Sequence, residues 1–210
     1  MLTHNTDFLD AEKNFNVPKE VLAAIILVET KVGGYLGESN TFSTLASMAL
    51  CHDFSKVEPY VGMDKLNADL RTWIKKRNND KANWAYKELV ALLDYAESAH
   101  KDPLAIKGSH YGAIGLCQFM PSNAKPYGVD GNKDGKLDLF CPSDAIYSVA
   151  KYLKEHGWKS RLTTHRKRRV IYRYNHSTVY ANTVLEVARH LRRMDTPQQL
   201  SSREESSRQN

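Results

Sequence analysis

No run of residues in this chain approaches the roughly 20 apolar positions that span a bilayer, so no transmembrane segment is expected. The stretch Met1-Leu2-Thr3-His4-Asn5-Thr6-Asp7 has no basic segment followed by an apolar one, and no signal peptide is visible. That leaves a cytoplasmic protein, a targeting segment outside this sequence, or export by a route the residues do not show. Cysteine is scarce: Cys51, Cys117 and Cys141 make an odd count without a C-x-x-C spacing. A disulfide scaffold and a zinc site are therefore not indicated, at most one bridge can form, and small buried thiols are the plain expectation. Strand-like alternation is nearly absent, and no internal repeat is present.

What remains is a chain of 210 residues, 41% hydrophobic and 26% charged, enough for one well-buried domain or one domain with an inserted lobe. Its net charge of +6 favours an anionic partner, and His165-Arg166-Lys167-Arg168-Arg169 concentrates that charge. Nucleic acid, a polyanionic cell wall and a plainly solvated face all remain open readings of this run.

Helix signals dominate. Asn16 as cap and Pro18 in the first turn predict a helix from Val17 that stops at Gly33-Gly34. Residues 41–50 read as a short helix, 61–100 as two or three, 142–157 as one opening at Pro142, and 178–193 as the last. Residues 107–121 are too rich in glycine for a helix interior and read as a wall of backbone near a ligand. A short hairpin has no assigned place. The polar stretch from Asp195 onward is expected to be disordered.

Within the first of these helices, spacing puts Glu29 on the stripe of Leu22, Ile25 and Ile26. A carboxyl group there loses hydration, its pKa rises, and it becomes a candidate general acid. The plainer alternative is a frayed helix end with Glu29 in water. Glu38 is the one nearby second acid, which would allow two-carboxylate hydrolysis if it faced the same cleft.

Val28-Glu29-Thr30, Gly112-Ala113-Ile114-Gly115-Leu116-Cys117-Gln118-Phe119-Met120-Pro121 and Tyr174-Asn175, in that order, resemble the motifs of the lytic murein transglycosylases. Gly108-Ser109, Ser122, the loop at Asp130, Asp144-Ala145-Ile146, Ser148-Val149-Ala150, Tyr152 and His156-Gly157-Trp158 make the lytic transglycosylase B family the nearest likeness, over about residues 17–187. The resemblance implies a mainly α, lysozyme-like fold of the goose-type lysozyme and transglycosylase kind, with a helical insertion and an EF-hand-like loop. The expected organisation is an N-terminal arm at 1–16, a catalytic domain at 17–194 with its inserted lobe at about 55–104, and a disordered tail at 195–210.

It also implies cleavage of the β-1,4 bond between N-acetylmuramic acid and N-acetylglucosamine in peptidoglycan. Glu29 would act as acid and then base while the muramic acid 6-hydroxyl closes a 1,6-anhydro ring. Ser109 and Gln118, nine positions apart, would line the cleft, and Tyr152, Tyr174 and Asn175 would bind substrate. The plainer readings are a turn residue for Ser109, a cap or core amide for Gln118, and packing groups for the others. Catalysis needs no cofactor on this reading. The expected partner is the glycan strand of peptidoglycan, the expected state a monomer, and the expected location the periplasm or the cell exterior.

Residues 130–141 place Asp130, Asn132 and Asp134 at positions 1, 3 and 5 of an EF-hand pattern, with Gly135 at position 6. Cys141 stands where the closing glutamate belongs. Some members of the resembled family close a longer loop three residues later, where this chain has Asp144. Asp130, Asn132, Asp134, the Lys136 carbonyl and Asp144 are thus candidate ligands of a structural calcium ion, against metal-free Asx turns. Three other functions stay in view: a hydrolytic muramidase, a silent peptidoglycan-binding module, and a nucleic-acid binder using residues 161–173, which is the least expected.

Overall fold

In the computed structural model, residues 4–62 and 66–195 are described. The expected tail falls outside them except for Asp195, which ends the last helix. The chain is mainly helical, as the residue pattern predicts. In order come α1 (Asn5–Phe15), α2 (Lys19–Thr30), β1 (Ser39–Asn40), α3 (Thr41–Leu50), α4 (Glu58–Val61), α5 (Ala68–Ser98), β2 (Lys107–Gly108), α6 (Pro121–Tyr127), α7 (Pro142–Glu155), α8 (Thr164–Tyr174) and α9 (Thr178–Asp195). The hairpin without a place is the two-residue antiparallel pair β1–β2, with Ser39 opposite Gly108.

Helix α2 is the axis of the molecule. Val21, Leu22, Ala23, Ala24, Ile25 and Ile26 are all buried, so the helix is enclosed on nearly every side rather than along one stripe. It packs against α9, α1 and α7. The expected arm at 1–16 is α1, which buries Phe8 and Ala11 in the common core and packs along α7. With so few apolar residues this helix gains its stability from docking, not from propensity. Asn16, expected to cap α2, instead ends α1 in the left-handed conformation at φ 59°. The N-terminus of α2 is met from across the gap, where the Lys19 amide donates to Glu12 Oε2 at 3.2 Å.

Where two or three helices were expected over residues 61–100, the short α4 precedes a single 31-residue helix, α5. Its N-cap is Asn67, whose side chain accepts from the Leu70 amide at 2.9 Å. Neither glycine nor proline interrupts residues 68–98, which is why one helix runs where several were expected. α5 lies along α3 and α6. The buried Glu88 carboxylate on α5 receives the Ser122 amide at 2.9 Å and hydroxyl at 2.8 Å, a negative charge placed at the N-terminal turn of α6.

Candidate active site

The glycine-rich residues 108–120 fold into linked tight turns. Ser109 donates its amide to Ala113 O (2.9 Å), and Ile114 and Phe119 exchange both backbone bonds (2.8 and 3.1 Å). Leu116 donates to Leu139 O (2.9 Å), which ties the turns to the loop before α7. Glycine is required at 115, where φ is +72° and a Cβ would stand 2.4 Å from Leu139 O, and at 108, where it would stand 2.2 Å from Ala113 O. The segment is the wall of backbone that its composition predicts.

Glu29 occupies the last turn of α2 and faces this wall half-buried. Thr30 holds the two together: its hydroxyl lies 3.2 Å from Ile26 O and 3.3 Å from Leu116 O, and it accepts the Gly33 amide at 3.1 Å. Past Thr30 the chain reverses through Lys31 (φ 51°) and Val32 (φ 60°), both left-handed. A β-branched residue there is strained, and the strain sits immediately after the acid. Removal from water pushes the Glu29 carboxyl up to about 7, and the Tyr180 hydroxyl, on α9, pulls it partly back. Tyr180 Oη is buried and close enough to act on that proton without being aligned in a formed hydrogen bond. Glu38 lies exposed, and no second carboxylate contributes to the shift of Glu29 among the described residues.

Tyr174, the last residue of α8, donates its hydroxyl to Cys117 O and so braces the wall from behind. Burial, the Cys117 thiol and the Glu29 charge keep this phenol well above its ordinary pKa, hence neutral. Its ring lies parallel to that of Tyr180, with centroids 6.3 Å apart. The Cys117 thiol is fully buried and pushed up to about 12, which makes it an inert packing group. Cys117, Tyr174 and Tyr180 all lie close enough to Glu29 for its charge to push their pKa values up.

Of the remaining expected site residues, Gln118 sits at φ 48° and donates its amide to Gly115 O (2.9 Å) and Leu36 O (3.4 Å). These bonds occupy its nitrogen and leave its oxygen as an acceptor. Ser109 Oγ accepts the amides of Tyr111 (3.2 Å) and Ala113 (3.0 Å), so it shapes the turn and keeps only its proton to give. Asn175 caps α8 and is exposed. Tyr152 departs from the expected substrate contact: it is buried, its hydroxyl bonds Arg173 O at 2.8 Å, and its ring stacks on His156 at 3.9 Å. With Phe119 and Tyr174 it forms an aromatic cluster behind the wall. Tyr180 was not singled out from sequence, and Thr30 entered only as part of the motif with Glu29, with no role given to it. A lone tyrosine six positions beyond Tyr174, across a helix break, carries no periodic signal.

The profile of the family described as transglycosylase SLT domain matches residues 1–167. The chain belongs to that family. Over 144 residues, 69% of this chain and 33% of the relative, the SLT domain is 35% identical to membrane-bound lytic murein transglycosylase B of Escherichia coli strain K12. It therefore spans about a third of that relative's length. Among solved structures, soluble lytic transglycosylase SltB1 from Pseudomonas aeruginosa superposes with a TM-score of 0.73 at 26% identity, covering 92% of this chain and 76% of that one. The Escherichia coli lytic transglycosylase Slt35, solved in complex with calcium, gives 0.70 at 26% identity, covering 89% and 70%. The lysozyme-like helical fold expected of the sequence is that of these structures.

In this SLT domain the loop before α7 is closed by its own amides. Asp130 accepts from the amides of Asp134 (3.2 Å) and Gly135 (2.8 Å), Asn132 from Asp134 (3.0 Å), and Asp134 from Lys136 (2.9 Å). Asp144, fully buried at the start of α7, accepts from Gly131 (3.0 Å), Asn132 (3.4 Å) and Asp138 (2.7 Å). Burial raises its pKa against the pull of those amides. The oxygen donors suit calcium in kind, but no three His, Cys, Asp or Glu side chains converge as metal ligands among the described residues. Asn132 and Asp134 thus form Asx turns, while Asp130 and Asp144 accept amides from more distant positions of the loop. All three cysteines are free. Among the described residues no helix is long and apolar enough to cross a membrane.

Proposed function

We propose that this chain is a lytic transglycosylase that cleaves the N-acetylmuramic acid to N-acetylglucosamine β-1,4 bond of peptidoglycan without water, leaving a 1,6-anhydro product. One observation carries the reading: a half-buried Glu29 with a pKa of about 7 stands by tyrosines, and among the described residues no second carboxylate contributes to its shift. Such a group is populated in both protonation states at neutral pH, as an acid that must also serve as a base requires. Protonated Glu29 gives its proton to the glycosidic oxygen as the bond to C1 breaks. The resulting carboxylate takes the proton of the muramic acid 6-hydroxyl, whose oxygen bonds C1, and Glu29 ends as it began. A retaining or inverting hydrolase would need a second carboxylate at the sugar.

Gln118 through its carbonyl oxygen and Ser109 through its hydroxyl proton hold the sugar, with Asn175 at the rim. Tyr174 and Tyr152 keep the wall in place, and Tyr180 steers the carboxyl. The names of the relatives, a murein transglycosylase and two lytic transglycosylases, support this assignment. Residues 17–194 form the catalytic unit on this reading, with α1 part of its core and residues 55–104 as the inserted lobe. The protein works where peptidoglycan lies, in the periplasm or outside the cell.

Residues 130–144 we read as a structural calcium clamp using Asp130, Asn132, Asp134, the Lys136 carbonyl and Asp144. The donor chemistry and the calcium-bound state in which Slt35 was solved support it. The ion would stiffen the loop and takes no part in bond cleavage.

The deciding experiment is mass spectrometry of soluble products from purified sacculi. The parent releases anhydromuropeptides and Glu29→Gln releases at least about a hundredfold less, the usual loss of a general acid. Reducing-end products one water heavier would establish hydrolysis instead, and no release by the parent would leave a binding module.

A further inference from the structure

The cationic run at 165–169 takes no part in the site around Glu29, and it belongs to a larger asymmetry of charge. Residues 156–185 contain seven Lys and Arg and no Asp or Glu, so the whole of the chain's net charge of +6 arises there. Folding concentrates it further. Arg166, Arg169 and Arg173 recur at helical spacing along one side of α8. Together with His156, Lys159 and Leu162, from the end of α7 and the segment after it, they line a cleft of about 360 Å³. Lys159 and the three arginines are exposed, and among the described residues none of the four pairs with a carboxylate. Glu155, the nearest acid along the chain, is exposed and outside the lining. α8 carries this charge at a local cost, since its first turn has no acidic residue and cations there oppose the helix dipole. Positive charge gathered without counter-charge, against the preference of the helix that bears it, marks a surface that meets an anion.

The arrangement narrows the anion. Arginine forks match phosphate oxygens, and three of them around one concavity suit a compact phosphate group. Single-stranded nucleic acid also needs open ring faces for its bases. The one ring of the lining, His156, is stacked on Tyr152 at 3.9 Å and met by Tyr127 at 5.1 Å, so it has no face to give. α8 instead has the form of a helix that lies on a lipid surface. Val170 and Ile171 bury its inner side in the protein, and outward it carries Arg166, Arg169, Arg173 and Tyr172, which is 40% exposed. A tyrosine beside clustered cations is a pattern of membrane interfaces. The cleft shares no lining residue with the site around Glu29.

We propose that this face of α8 docks on an anionic phospholipid membrane, with one lipid phosphate seated in the cleft among Lys159, Arg166, Arg169 and Arg173. The docking does not depend on what the Glu29 site cleaves.

The test is co-sedimentation with vesicles of pure phosphatidylcholine and of an equal mixture of phosphatidylcholine and phosphatidylglycerol, at physiological salt. Two double variants are compared with the parent: Arg166→Gln with Arg169→Gln on α8, and Lys76→Gln with Lys87→Gln, which removes the same charge from α5. All four side chains are exposed, so both variants keep the fold. The parent should bind the mixed vesicles and leave the neutral ones in suspension. A cation at a lipid surface contributes about fivefold in affinity, so the α8 variant should bind the mixed vesicles about twentyfold more weakly and the α5 variant as the parent does. Equal binding to both kinds of vesicle, or an equal loss in both variants, overturns the proposal. So does a single-stranded oligonucleotide held more tightly than the mixed vesicles and lost in the α8 variant, which would make nucleic acid the partner. Millimolar inorganic phosphate that raises the melting temperature of the parent but not of the α8 variant, without vesicle binding, would assign the cleft to a soluble phosphate instead. Release of soluble products from sacculi should be the same for the parent and the α8 variant. A loss there without vesicle binding would assign the charge to the wall, whereas vesicle binding upholds the docking even if no product is released by any of the three.

Discussion

Glu29 is an acid whose folded environment works against its charge, and that has a consequence for stability that activity does not enter. Its folded pKa of about 7 exceeds the ordinary 4.5, so between those values the folded protein holds a proton that the unfolded chain has lost. The stabilising contribution is complete below pH 4.5 and disappears as the pH rises through 7, at most about 3 kcal/mol. Glu29→Gln never carries the charge. It should match the parent in melting temperature near pH 4 and exceed it by roughly 5–10 °C near pH 8, as read by scanning calorimetry. A gap that does not open with pH would mean that Glu29 titrates as an ordinary surface acid. The acid was legible in the sequence because a carboxylate on the helical stripe of Leu22, Ile25 and Ile26 is out of place. Tyr180 was not, since nothing in its own neighbourhood distinguishes a tyrosine aimed at an acid from one that packs.

At the scale of elements, the site depends on how the end of α2 meets residues 108–120, and Thr30 makes that junction. Thr30→Val keeps the shape but removes a hydroxyl that bonds Leu116 O and accepts the Gly33 amide. The loss of buried partners should cost about 1–3 kcal/mol in urea unfolding and should lower kcat by letting Glu29 shift against the wall. Unchanged stability with unchanged kcat would show that the strained turn at Lys31 and Val32 holds the acid unaided. Elements with strong local signals were readable: residues 41–50 from their short apolar run, α7 from Pro142, and α9 from its spacing. α1 was not, because its few apolar residues look like an arm until α7 supplies a surface for Phe8 and Ala11. α5 was divided too finely, since its weakly amphipathic middle hides a run that contains no breaker.

For the whole molecule, calcium should act by linkage: an ion held only by the folded state raises the melting temperature, by a few degrees in millimolar calcium. Asp130→Ala should melt at the same temperature with and without the ion. A parent that shows no shift has a loop closed by its amides alone. The loop joins α6 to α7, and its Leu139 carbonyl accepts the Leu116 amide of the glycine-rich wall, which ties the two together. The sequence by itself determined the helical class, the acid, the glycine-rich wall and the oxygen-rich loop, because each is written in neighbouring residues whose types answer to local sterics, solvation or ligand chemistry. Only the tertiary structure decided that Tyr180 faces Glu29, that Tyr152 turns to Arg173 rather than to a sugar, and that Lys81 bridges Trp84 and Tyr111. Those relations join residues far apart in the chain, and their distances are set by how α5, α7, α8 and α9 pack around α2, which no local pattern encodes.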